Sequence, residues 1–125
     1  MEKNIFEKII NNDLPALKVY EDESFIAILD INPKNMGHTL LIPKQKQKDI
    51  FAENDETRSK LINIGTLLGE KIKTNLKADG IKFVINNGKE AGQVIFQTHL
   101  HIIPYYKKTQ RNINDESVKQ KIIGN

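Results

Sequence analysis

Three histidines are the side chains of this 125-residue chain that titrate near neutral pH, and two of them, His99 and His101, stand one residue apart. Neutral imidazole, with a pKa of about 6.5, is a nucleophile at neutral pH without a metal, provided an acceptor holds the proton on its other nitrogen. Alternate residues of a strand share a face. If the run Val94 to Ile103 is a strand, Gln97, His99 and His101 line one face and Phe96, Thr98, Leu100 and Ile102 the other, mostly apolar, one. The two imidazoles would then sit about 7 Å apart at Cα on a strand whose back is buried. Spacing alone leaves three readings open: a partly exposed structural pair, a metal site, or a catalytic pair. A catalytic zinc usually takes three protein ligands, and the acids near this segment promise no third. The chain has no cysteine, which removes disulfides, thiolate catalysis and Cys-based metal sites.

The elements that must position these residues can be read along the chain. Phe6, Ile9 and Ile10 have helical spacing, stopped by Asn11-Asn12-Asp13 and Pro15. Leu17 to Tyr20 and Phe25 to Leu29 read as strands around a turn at Glu21-Asp22-Glu23-Ser24, and Thr39 to Ile42 as a third strand ended by Pro43. Leu61, Ile64, Leu68, Ile72 and Leu76 make the stripe of a long amphipathic helix from about Asp55 to Leu76, with Asn54 or Asp55 as its N-cap. Ile81 to Ile85 is a further strand, followed by a Gly-containing loop, Asn86 to Gly92, and then the histidine strand. Glu116 to Ile123 reads as a small terminal helix. Consecutive hairpins beside one long helix predict an α+β domain with a mainly antiparallel sheet of about five strands. The predicted division is a domain over 1–104 and a basic tail over 105–125.

Composition narrows the function classes. No apolar run approaches the roughly 20 residues needed to span a bilayer, and Met1-Glu2-Lys3-Asn4 opens no secretory signal. A cytoplasmic protein is the expectation. The net charge of +3 lies wholly in residues 105–125, and the body is neutral. A neutral body with 17 lysines and only two arginines is not the stripe that grips nucleic acid.

The surrounding motifs decide between the readings of the histidine pair. In chain order they are Leu14-Pro15-Ala16, Val19-Tyr20-Glu21-Asp22, Leu29-Asp30-Ile31-Asn32-Pro33, Gly37-His38-Thr39-Leu40-Leu41-Ile42-Pro43-Lys44, Asn86-Asn87-Gly88, Gly92-Gln93 and His99-Leu100-His101-Ile102-Ile103-Pro104. From about Phe6 to Pro104 the series resembles the histidine-triad (HIT) superfamily, and within it the Hint-like branch of nucleotide-binding hydrolases. The resemblance implies a HIT-like fold, a homodimer whose two sheets join, and a purine nucleotide held over the histidine segment. It implies cleavage at the α-phosphate through a nucleotidyl-histidine intermediate. His99 matches the family's nucleophile. His101 matches the histidine that contacts the phosphate and supports proton transfer, and His38 the one that reaches the same site. Asp30 matches the acid on the ribose hydroxyls, with Ile31, Phe6 and Leu14 around the base. Asn86, Gly92 and Gln93 match groups beside the phosphate. Taken singly, Asp30 is a turn acid and Gly88 and Gly92 are turn glycines.

Two departures follow from the same resemblance. The first triad position is Gln97 rather than histidine. Many bacterial members hold a structural zinc with two N-terminal cysteines, a histidine after Ile-Pro-Lys and the first triad histidine. Those positions here are Asn4, Glu7, Lys46 and Gln97, so no metal or other cofactor is expected, and Gln97 becomes a residue beside the nucleotide. Val94 stands where some members have serine beside the leaving group. The expected function is hydrolysis of nucleoside phosphoramidates or related nucleotidyl conjugates, with dinucleoside polyphosphates also fitting. The alternative is a nucleotide-binding regulatory protein with little turnover. The homodimer is expected to form through the stripe of the long helix and the strand following Asn86, without nucleic acid or membrane partners.

Overall fold

The computed structural model describes residues 2–124. Helix α1 (Ile5–Ile10) starts at Asn4, whose carboxamide accepts the Glu7 N–H while the Glu7 carboxylate accepts the Asn4 N–H. This reciprocal cap satisfies amides that the first helical turn leaves free. Strands β1 (Lys18–Glu21), β2 (Phe25–Leu29) and β3 (Thr39–Pro43) follow, then helix α2 (Asp55–Leu76), strands β4 (Gly80–Val84) and β5 (Leu100–Tyr105), and helix α3 (Glu116–Ile123). The five strands form one sheet in the order β1-β2-β3-β5-β4, every neighbouring pair antiparallel. Among the described residues no helix is long and apolar enough to cross a membrane.

Side-chain alternation gives the sheet two buried faces. Ala27, Leu29, Leu41, Leu100 and Ile102 face the helical layer, where Leu61, Leu68, Ile72 and Leu76 of α2 meet Val118 and Ile122 of α3. Ile26, Ile28, Leu40 and Ile42 face the other way and are covered by Phe6 and Ile9 of α1. Because α1 is only six residues long, it caps part of this second face and leaves the portion over β5 and β4 open. On the helical side, a Cβ at Gly65 would lie 2.5 Å from Leu100 Cδ2. The glycine therefore lets α2 press directly onto the strand that carries His101.

Three expectations need correction. The run Val94 to Ile103 is not one strand: only Leu100 onward pairs, and 94–99 is irregular. The register that sets Leu41 opposite Leu100 would put Pro43 opposite Thr98. Proline has no N–H for a ladder, and the Thr98 N–H goes instead to the Gln47 carbonyl. The stripe on α2 is no interface, since Leu61, Leu68, Ile72 and Leu76 are buried in the chain's own core. The loop expected over 86–92 is present and holds a short 3₁₀ turn, Lys89–Ala91. The tail is also continuous with the domain, because β5 runs through Pro104 to Tyr105 and α3 contributes Val118 and Ile122 to the main core.

Candidate active site

A cavity of about 700 Å³ opens over the uncovered part of the sheet. Its wall includes the apolar Phe6, Leu14 and Ile31 together with Asp30, Asn86, Gly92, Val94, His99 and His101. Residues from α1, the β2–β3 connection, the loop after β4 and the start of β5 thus converge on one concavity. Lys34 and Lys82 are the cations on the wall and Asp30 is the acid.

The hydrogen bonds around the imidazoles determine which nitrogen carries each proton. Burial is the first cause that lowers the pKa of His99, opposed by the Gln97 carbonyl and by Asp30, so the ring is neutral at pH 7. His99 Nδ1 lies 2.8 Å from the Gln97 carbonyl, which can only accept. Nδ1 therefore carries the proton, and Nε2 is left with a free lone pair on a residue of the cavity wall. The Phe6 ring meets His99 edge-on with centroids 4.9 Å apart, fixing the ring from its other side.

His38 and His101 form a second chain of bonds. The Lys34 N–H donates to His38 Nδ1 at 3.1 Å, so that nitrogen is the acceptor. Burial lowers the pKa of His38, with Asp30 pulling the other way, and the neutral ring must carry its proton on Nε2. His38 Nε2 is 2.9 Å from His101 Nδ1 and 3.6 Å from Asp30 Oδ2, so the proton is given to His101. His101 is then fixed with its remaining proton on Nε2. Burial, followed by the neighbouring His99, His38 and Lys34 charges, pushes its pKa down to about 4. The site thus offers one imidazole with a free lone pair beside one with a free N–H, ring centroids 4.9 Å apart. That is a free imidazole lone pair next to a hydrogen-bond donor, the first set by the Gln97 carbonyl and the second by the His38 N–H.

A model of the HIT domain matches residues 11–108. The chain belongs to the HIT family. It is 40% identical over 107 residues to Protein hit of Bacillus subtilis, covering 86% of this chain and 74% of that protein. It is 39% identical over 100 residues to Adenylylsulfatase HINT3 of Arabidopsis thaliana, covering 80% of this chain and 51% of that one. The fold superposes with a TM-score of 0.87 on a hypothetical histidine triad nucleotide-binding protein of Sulfolobus tokodaii, at 35% identity over 97% of this chain and 87% of that one.

Within this HIT chain, Phe6, Leu14, Asp30, Ile31, Asn86, Gly92, His99 and His101 come together around the cavity. His38 does not reach the wall; only 2% exposed, it stands behind His101 and acts on it. Gln93 is buried beside the wall, where it takes the Gly88 N–H and donates to the Lys48 and Ile95 carbonyls. It shapes the loop that carries Gly92. Gln97 is wholly buried and turned away from the cavity, its amide donating to the Pro43 carbonyl at 3.0 Å and accepting from Asn4 at 3.1 Å. It is not part of the cavity wall, because position 97 is not in a strand whose alternation would align it with His99. Asn4, Glu7, Lys46 and Gln97 are nonetheless close together: Asn4 bonds both Glu7 and Gln97, and Lys46 lies 3.4 Å from Glu7. This polar clasp ties α1 to the segment preceding His99. Asp30, His38 and His101 also have potential metal-binding atoms within 4.8 Å of one another, but the His38–His101 hydrogen bond engages two of them.

Proposed function

We propose that this chain is a purine-nucleotide hydrolase that acts at the α-phosphate of nucleoside phosphoramidates or related nucleotidyl conjugates, dinucleoside polyphosphates among them. The observation that carries the reading is the fixed proton pattern: a free lone pair on His99 Nε2 next to a free N–H on His101. Similarity to a protein named as nucleotide-binding and to an adenylylsulfatase supports it. The base would lie against Phe6, Leu14 and Ile31 and the ribose hydroxyls against Asp30. Asn86 and Gly92 would lie beside the phosphate, with Gln93 holding their loop from behind.

In the first step His99 Nε2 attacks phosphorus; the P–N bond forms as the bond to the leaving group breaks. The leaving group departs with the electron pair and takes a proton from solvent. The Gln97 carbonyl keeps hold of Nδ1–H, which favours the positive charge that develops on the ring. His101 Nε2–H donates to the charge that builds on the phosphoryl oxygens or the leaving atom. Water then attacks phosphorus, the P–N bond breaks, nucleoside monophosphate leaves, and water's proton replaces the one the leaving group took.

The second reading is a nucleotide-binding regulator with little turnover, favoured by Val94, an exposed valine on the cavity wall that can hydrogen-bond no leaving group. Hydrolysis of an adenosine phosphoramidate, adenylyl sulfate and diadenosine polyphosphate by wild type and His99→Ala separates the two. Turnover of at least one substrate that is lost in the variant is expected, whereas nucleotide binding without single-turnover cleavage would favour the regulator. A second copy of the chain is proposed to pair along the free edge of β4, which ends the sheet and presents a half-exposed Phe83.

A further inference from the structure

Beyond the matched HIT segment, the side chain of Asn114 returns to the site. Asn114 lies six residues past the end of that match, immediately before Asp115, the N-cap of α3. Its carboxamide makes three hydrogen bonds to the backbone of the β2–β3 connection, using both of its donors. Oδ1 accepts the Gly37 N–H at 2.8 Å. Nδ2 donates to the Asp30 carbonyl and to the His38 carbonyl, each at 3.0 Å. The orientation of the amide is unambiguous, because an N–H can only donate and a carbonyl can only accept. The Asp30 N–H also donates to the His38 carbonyl, at 2.9 Å. Asn114 therefore closes the base of the connection whose two ends carry Asp30 and His38.

Asn114 is itself held firmly. Asp115 accepts the Val118 N–H, Val118 and Ile122 are buried in the main core, and Asn75 of α2 donates to the Ile122 carbonyl. A rigid anchor thus reaches the backbone of the residue that sets the His101 tautomer and of the acid on the cavity wall.

We propose that Asn114 is a positioning residue: it fixes the Asp30–His38 connection so that His38 Nε2 stays in line with His101 Nδ1. Its kinetic consequence rests on the hydrolase reading above, whereas its structural consequence does not. Misplacement of a catalytic group by about 1 Å can cost roughly 100-fold in rate.

The test compares Asn114→Ala with Asn75→Ala, which removes a tail hydrogen bond away from the cavity. Asn114→Ala is expected to lower kcat about 10–100-fold and to change the ring ¹⁵N signals of His101 from one fixed tautomer to an average of two. Asn75→Ala is expected to lower Tm to a similar extent with kcat within about twofold of wild type. Asn114→Asp keeps the acceptor for Gly37 but sets an oxygen against two carbonyls, so it should do no better than alanine. An unchanged kcat with an unchanged His101 tautomer in Asn114→Ala would overturn the proposal. So would an equal loss of kcat in Asn75→Ala, which would reduce the effect to tail docking, or full activity in Asn114→Asp. Should Asn114→Ala not fold, hydrogen exchange on wild type decides: Gly37 N–H is expected to be protected, and exchange at the rate of an open loop would refute the bond. If wild type turned over no nucleotide, the hydrolase reading would fail while the ¹⁵N and exchange measurements still tested Asn114.

Discussion

Replacing His38 by phenylalanine should weaken catalysis only through His101. His38 is 2% exposed, and a phenyl ring of similar volume keeps the packing. What disappears is the 2.9 Å bond to His101 Nδ1 and the acceptor for the Lys34 N–H at 3.1 Å. Both groups left behind are only partly buried and can regain water, so the stability cost should be about 1–2 kcal/mol rather than the full penalty for buried orphans. The kinetic cost follows from the proton pattern. Without His38, His101 can carry its proton on either nitrogen and is free to turn, so its donor points at the reacting phosphate only part of the time. Removing a positioned donor or proton-transfer group outright costs roughly 10²–10⁴-fold, and loosening one should cost about 10–100-fold, which is 1.4–2.7 kcal/mol. The assay is kcat/KM on a fluorogenic adenosine phosphoramidate for His38→Phe, His101→Ala and the double variant. Because His38 acts through His101, the double variant should be no worse than His101→Ala, giving a coupling energy equal to the whole His38 effect. Losses that multiply in the double variant would refute the relay and give His38 an independent role.

Stability should fall with acid in a window set by the histidines. His101 has a folded-state pKa of about 4 against an ordinary 6.5, so below pH 6.5 the unfolded chain takes up a proton that the folded chain refuses. Folding stability should drop by no more than about 2 kcal/mol from this residue between pH 7.5 and 5, read from urea midpoints; an equal drop in His101→Gln would contradict the assignment. Gly37 has φ +90°, and a Cβ there would lie 2.4 Å from Leu76 Cδ1. Gly37→Ala should therefore cost about 2–4 kcal/mol from left-handed strain and overpacking together. Gly80→Ala, with nothing within 4 Å, should change the urea-derived stability little; equal stabilities of the two variants would refute the packing argument. Light scattering at micromolar concentration should give twice the 14.3 kDa chain mass, and a stable monomer would remove the proposed β4 pairing.

The parts of the fold visible in the sequence are those in which one local signal dominates. The stripe Leu61-Leu68-Ile72-Leu76 with its cap Asn54 marks α2 to its observed ends, Asp55 and Leu76, and the small terminal helix read over Glu116 to Ile123 is α3. The residues around the cavity were legible through their motifs, because Asp30, His99 and His101 need only the hairpin and β5 to bring them together. Three features were not legible. Val94-Ile95-Phe96 has strand composition, yet a strand needs a partner, and Pro43 and the Gln47 carbonyl deny it one. Gln97 points away from the cavity because Asn4 and the Pro43 carbonyl claim its amide, a pairing across 93 and 54 residues. Asn114 is one asparagine in a polar tail, and its contacts, 76 to 84 residues back, leave no periodicity or motif at its own position.

The most direct test of the central claim is to look for the bond that His99 must form. Quench-flow on the wild-type protein with an adenosine phosphoramidate, followed by digestion and mass spectrometry, should trap one nucleoside monophosphate on the peptide that carries His99. The adduct should appear before product, decay at the rate of turnover, and be absent from His99→Ala. Full turnover by His99→Ala, or an adduct carried by another residue, would contradict the account.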